Sequence, residues 1–131
     1  MRRVFTPLAA VLALAPSAQA LAKSEIEGHW KNGKMEIVIA PCGRALCGTV
    51  VKASAKQQAR AQNGSGTKLV GAQLITNIRS SGPQTYRANV YLADRDMKAS
   101  GTIHQAGPNR LSVRGCVWGI ICKSSNWDRI G

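Results

Sequence analysis

QTYRANVYLADRDMKASGTIHQAGPNRLSVRGCV, residues 84–117, carries the pattern that decides the fold. From Gln84 to Ala93 the residues alternate: Tyr86, Ala88, Val90 and Leu92 on one side, Arg87, Asn89 and Tyr91 on the other. A pleated backbone sends successive side chains to opposite faces, so this period of two marks a strand with one dry and one wet face. Asp94-Arg95-Asp96 is a turn into a second strand, Met97–Gln105. Gly107-Pro108-Asn109 turns the chain again into Arg110–Val117, where Leu111 and Val113 alternate with Arg110, Ser112 and Arg114. Short turns between such runs make antiparallel neighbours.

The same reading extends in both directions. Toward the C-terminus, Trp118-Gly119 is a turn and Ile120–Ile130 a strand. Toward the N-terminus, Ser80-Ser81-Gly82-Pro83 is a turn that follows an apolar, β-branched strand over Leu69–Ile78. Further back lie Glu25–Lys31, the hairpin turn Asn32-Gly33, Lys34–Pro41, and Gly48–Ala53. Within Lys34–Pro41, Met35, Ile37 and Ile39 share one face. Residues 54–63 break the pattern. Ser54 and Gln57 form an S-x-x-Q capping box, the Ala/Gln/Lys/Arg run favours a short helix (or a loop), and Asn63-Gly64 should stop it. Its apolar face is only Ala55 and Ala59, so it should sit lightly on the surface.

About eight short strands in regular succession predict an all-β, up-and-down antiparallel barrel. Closure removes the exposed edges through which sheets aggregate. A barrel of this size is either filled by its own side chains or holds one small ligand, and the sequence leaves both open.

Four cysteines form two tight groups, Cys42 with Cys47 and Cys116 with Cys122. Neither group has C-x-x-C spacing, which speaks against zinc. Local pairs, each clipping a hairpin, suit the Cα spacing across antiparallel strands. A long-range staple between the groups is the alternative. Disulfides fit an exported protein, and the first twenty residues read as a secretory leader. Arg2 and Arg3 precede an apolar run to Leu14, and Ala18-Gln19-Ala20 is an A-x-A cleavage site. The expected mature chain is therefore one domain over residues 21–131, periplasmic or secreted, with no transmembrane segment.

The chain of 131 residues has 18 Lys/Arg against six Asp/Glu, a net charge of +12. Such an excess favours anionic partners. The basic residues are scattered singly, unlike a nucleic-acid arm, so an anionic envelope surface is the expected partner and nucleic acid is not.

Several stretches resemble the domain of unknown function 2147 family of exported bacterial proteins. They are Gly28-His29-Trp30, Cys42-Gly43-x-x-Leu46-Cys47-Gly48, and Leu69-x-Gly71-x-x-Leu74-Ile75. With them go Tyr91 before an acidic turn, Gly107-Pro108-Asn109-x-Leu111-x-Val113-x-Gly115-Cys116, and Trp127-x-Arg129-Ile130. The resemblance implies a small lipocalin-like barrel and supplies no catalytic residues. The helix-prone segment after Ala53 and the Asp94-Arg95-Asp96 turn depart from the family's loops. Gly28-x-Trp30 and Arg129 also resemble the lipocalin arrangement, in which a first-strand tryptophan seals the closed end beneath an arginine. Trp127 could compete with Trp30 for that arginine.

Little here suggests catalysis. His29 and His104 are single strand histidines, the carboxylates are few, and paired cysteines are not nucleophiles. No G-x-S-x-G, H-E-x-x-H or phosphate loop occurs. Neither an enzyme, a metal site nor a cofactor is expected. The expected function is binding of a small apolar or amphipathic molecule, with Trp30, Tyr86, Tyr91, Trp118, Trp127 and Arg129 as candidate contacts. Tyr86 and Tyr91 have opposite parity, so only one can face inward. Trp118 could be a lid, touch a membrane interface, or pack over the neighbouring disulfide. The alternative function is a solid barrel whose basic surface binds an anionic polymer or a protein.

Overall fold

In the computed structural model, which describes residues 24–131, eight strands and one helix follow one another in simple succession. The leader expected over residues 1–20 lies outside the described residues. The strands are β1 (Gly28–Asn32), β2 (Met35–Cys42), β3 (Ala45–Lys52), β4 (Gln73–Gly82), β5 (Thr85–Leu92), β6 (Met97–Gly107), β7 (Arg110–Val117) and β8 (Ile121–Arg129). Helix α1 (Ala55–Ser65) joins β3 to β4. Each strand pairs antiparallel with the next, and β1 closes on β8 through Trp30↔Arg129 and Lys31↔Asp128. Among the described residues no helix is long and apolar enough to cross a membrane.

The alternation read from the sequence sets inside against outside. Along β6, Ala99, Gly101, Ile103 and Gln105 are buried, while Lys98, Ser100, Thr102 and His104 are exposed. The β5 residues Tyr86, Ala88, Val90 and Leu92 pair with the inward β6 residues Ile103, Gly101, Ala99 and Met97. On β7, Leu111 and Val113 are buried.

One strand breaks the period. Asn77 in β4 has a positive φ of 51°, and the register with both neighbours shifts around it. The extra residue of this β-bulge lets Ile75 and Ile78, three apart, both point inside. Asparagine tolerates that backbone region better than most residues.

Several expected boundaries move, each for a local reason. β4 begins at Gln73 rather than Leu69, because Leu69–Ala72 closes a turn (Ala72 N to Leu69 O, 3.0 Å) with Gly71 at φ 93°. It runs on to Gly82, so the turn is Pro83-Gln84 rather than Ser80–Pro83, with Gln84 at φ 54°. β3 begins at Ala45 rather than Gly48, leaving only Gly43-Arg44 as the turn. The helix starts as expected, with both hydrogen bonds of the Ser54/Gln57 capping box formed. It does not stop at Asn63-Gly64. It continues to Ser65 and is capped by Gly66, whose N–H bonds Ala61 O and Gln62 O from a left-handed conformation.

Nor does α1 sit lightly. Ala55 and Ala59 are exposed, and the docked face is centred on Ala61, which is 2% exposed. Ser65 Oγ donates to Ala93 O at 2.6 Å and ties the helix to the β5–β6 turn.

The disulfides are Cys42–Cys47 across the β2–β3 turn and Cys116–Cys122 across the β7–β8 turn, the local pairing. Replacing both Cys116 and Cys122 with serine is expected to lower stability by about 2 kcal/mol, the loop entropy of so small a ring. Urea unfolding of the oxidised protein and the double variant measures the difference.

Candidate functional site

Succession without crossovers gives the barrel two different ends. At one end lie the β2–β3, β4–β5 and β6–β7 turns with residues 24–27 beneath them. At the other lie the β1–β2, β5–β6 and β7–β8 turns and α1.

The first end is closed. Ile26, Trp30, Ile39, Ile78, Ile103 and Leu111 are completely buried there or next to it. Trp30 Nε1 donates to Ile26 O at 2.9 Å. The Arg129 guanidinium covers the indole, with Cζ 4.3 Å from the ring centroid. Arg129 also donates to Pro108 O at 2.9 Å, to Glu27 O at 2.8 Å and to Glu25 O. One side chain thereby holds the entering segment, the β6–β7 turn and the sealing tryptophan together. Trp127 does not compete for it: its Nε1 donates to Ser125 Oγ at 3.0 Å. The close fit requires Gly28, where a Cβ would lie 2.5 Å from Arg129 Nη1 and 2.7 Å from Gly131 O.

The second end is hollow. A cavity of about 520 Å³ opens between the strands at the α1 end. That lies within the ordinary range for small-molecule sites. Trp127 and Val113 line its depth, Val90, Leu92, Ala99 and Met35 its walls, and Asp94, Arg95 and Lys123 also border it. The cavity exists because the inward residues of this half are small: Ala99, Gly115 and Ser125 lie where the closed half has isoleucine, leucine and tryptophan.

The candidate contacts separate accordingly. Of the six, only Trp127 lines this cavity. Trp30 and Arg129 belong to the closed end. Tyr86 points inward as parity allows and packs on the core, its hydroxyl 3.4 Å from Ser24 Oγ. Tyr91 lies on the other face of β5, where it is half-buried and packs against the hydrophobic cluster; it pairs across from Lys98, and its hydroxyl donates to Asp96 Oδ1 at 2.5 Å. Trp118 does not pack over the Cys116–Cys122 bridge; it is 77% exposed at the turn, with φ 55°. Sequence reasoning missed Met35, Val90, Leu92, Val113 and Lys123 as cavity residues. Their inward parity was legible, but their height in the barrel was not.

The histidines lie elsewhere. His29 Nε2 is 3.2 Å from Glu36 Oε1, and Lys52 Nζ is 3.5 Å from Glu36 Oε2, a polar cluster on the outer face built around the Lys52–Glu36 ion pair. His104 is exposed on the outside of β6. Among the described residues, no three His, Cys, Asp or Glu side chains converge as a metal site.

Three comparisons bear on this barrel. A family model described as uncharacterized protein conserved in bacteria (DUF2147) matches residues 28–129. No curated protein matches the chain. Among solved structures, the Helicobacter pylori protein HP1028, described as belonging to the lipocalin family, superposes with a TM-score of 0.63. The two share 12% identity over 83% of this chain and 85% of that one, a likeness of fold.

Proposed function

This chain belongs to the DUF2147 family of bacterial proteins, and from that premise we propose that it binds a small apolar or amphipathic molecule in the open half of its barrel, without catalysis. The observation that carries the reading is the cavity of about 520 Å³, walled by Val90, Leu92 and Val113 and floored by Trp127. Burying apolar surface there supplies roughly 25 cal/mol per Å². An open half of this kind favours a carrier over a packed barrel that acts through its surface alone. The proposal includes export to the periplasm or beyond. Two disulfides support an oxidising compartment, in agreement with the leader read at residues 1–20. The basic exterior suits an anionic envelope surface.

Gly115 provides the test. It faces inward beside the cavity, and a Cβ built on it meets only Ala99 Cβ, at 3.8 Å. A Cβ is accommodated there, and the ring of Gly115→Phe should extend into the cavity and fill it. The expected result is saturable binding of Nile red, a neutral apolar dye, by the oxidised protein, and its loss in Gly115→Phe at unchanged thermal stability. Equal dye binding by both proteins, or none by the parent, overturns the reading.

A further inference from the structure

Inward positions of β8 run Ile121, Lys123, Ser125 and Trp127, each opposite an inward residue of β7: Val117, Gly115, Val113 and Leu111. Toward the open end this row is exposed, Ile121 and Lys123 included, and only Trp127 at its foot is buried, so the Lys123 ammonium stays hydrated at the rim. Cys122, Ser124 and Ser125 border the same opening, and Lys123 is the one charged side chain that β8 brings to it. Opposite Lys123 stands Gly115, which offers no side chain to share the space.

The surrounding charges leave Lys123 uncompensated. Among the described residues no carboxylate lies within ion-pair distance of Lys123. The one carboxylate bordering the cavity is Asp94, and its Oδ2 sits 4.0 Å from Arg95 Nε, which also borders the cavity. The rim therefore has a net positive charge, while the depth below is apolar. Four residues along the strand separate Lys123 from Trp127, a reach of about 13 Å.

We propose that the ligand is a single-chain anionic amphiphile, its carboxylate or phosphate headgroup held by Lys123 at the rim and its chain lying down the cavity toward Trp127. The inference rests on the cavity reading above and adds the headgroup to it. A neutral apolar ligand would make no use of the lysine, and a cationic one would be repelled by it. Lys123 and Arg95 place two positive charges at the opening, which raises the local concentration of an anionic headgroup there. The pairing stays partly wet, so salt should weaken it.

Displacement of Nile red by dodecanoate, dodecyl phosphate and dodecanol tests the proposal. In Lys123→Met, dodecanoate or dodecyl phosphate should bind about tenfold more weakly, the loss of one charge-assisted contact, while dodecanol should change by less than about twofold. Lys123→Arg should keep the affinity for the anions. Loss with only one of the two anions identifies the headgroup. If Lys123→Met still binds Nile red and both anions as the parent does, the headgroup assignment falls and the cavity reading stands. If the parent protein takes up no dye, both fall together.

Discussion

Trp30→Ala lowers the free energy of unfolding by about 4 kcal/mol, the usual cost of emptying a large buried aromatic site. Trp30 is completely buried at the closed end. Truncation removes its packing, leaves Ile26 O without the indole donor, and takes away the surface on which Arg129 lies at 4.3 Å. Arg129 then loses the platform that aims its guanidinium at the carbonyls of Glu27 and Pro108. Denaturant titration with the slope fitted freely measures the change. Trp118→Ala is the control: the side chain is 77% exposed and should cost no more than about 0.5 kcal/mol. A loss below about 1.5 kcal/mol for Trp30→Ala would mean that the closed end is not the keystone described above. Because Trp30 does not line the cavity, the folded variant should still take up Nile red.

Gly64→Ala destabilises the protein by about 2 kcal/mol, although alanine is the better helix former by about 1 kcal/mol. Gly64 lies inside α1, and a Cβ there would sit 2.1 Å from Asp94 O and 2.8 Å from Asp94 Cα. Both are backbone atoms that no rotamer change can move aside. The helix must lift from the β5–β6 turn, loosening the Ser65–Ala93 hydrogen bond and exposing Ala61. Asp94 and Arg95 border the cavity, so dye affinity should fall as well. Asn63→Ala, at the exposed neighbouring position, should instead stabilise by a few tenths of a kcal/mol (about 0.5 at most), as propensity dictates. Stabilisation by Gly64→Ala in thermal melts would show that the helix does not dock there.

The opposite signs expected at Asn63 and Gly64 illustrate where sequence reasoning ends. Both residues read as a helix stop, because helix stops are local chemistry and Asn-Gly is a common one. Gly64 is instead required by a contact with a residue thirty positions away. Asn77 is a similar case. Its neighbours read as an uninterrupted apolar strand, yet the bulge there sets the parity that buries both Ile75 and Ile78. The aromatic residues show the same limit at the site. Trp30 and Trp127 both face inward, but one seals the base and the other floors the cavity.

Near-neighbour pattern sufficed for the strands, their antiparallel order and the capped start of the helix, while for the cysteines it left the hairpin pairs beside a long-range staple that the fold excludes. What it sufficed for depends on backbone periodicity or on atoms a few residues apart. The depth of each inward side chain, the seat of α1 and the meeting of Lys123, Arg95 and Trp127 at one hollow belong to the folded barrel. They are fixed by the stagger between paired strands and by packing among distant residues, which no local run of sequence contains.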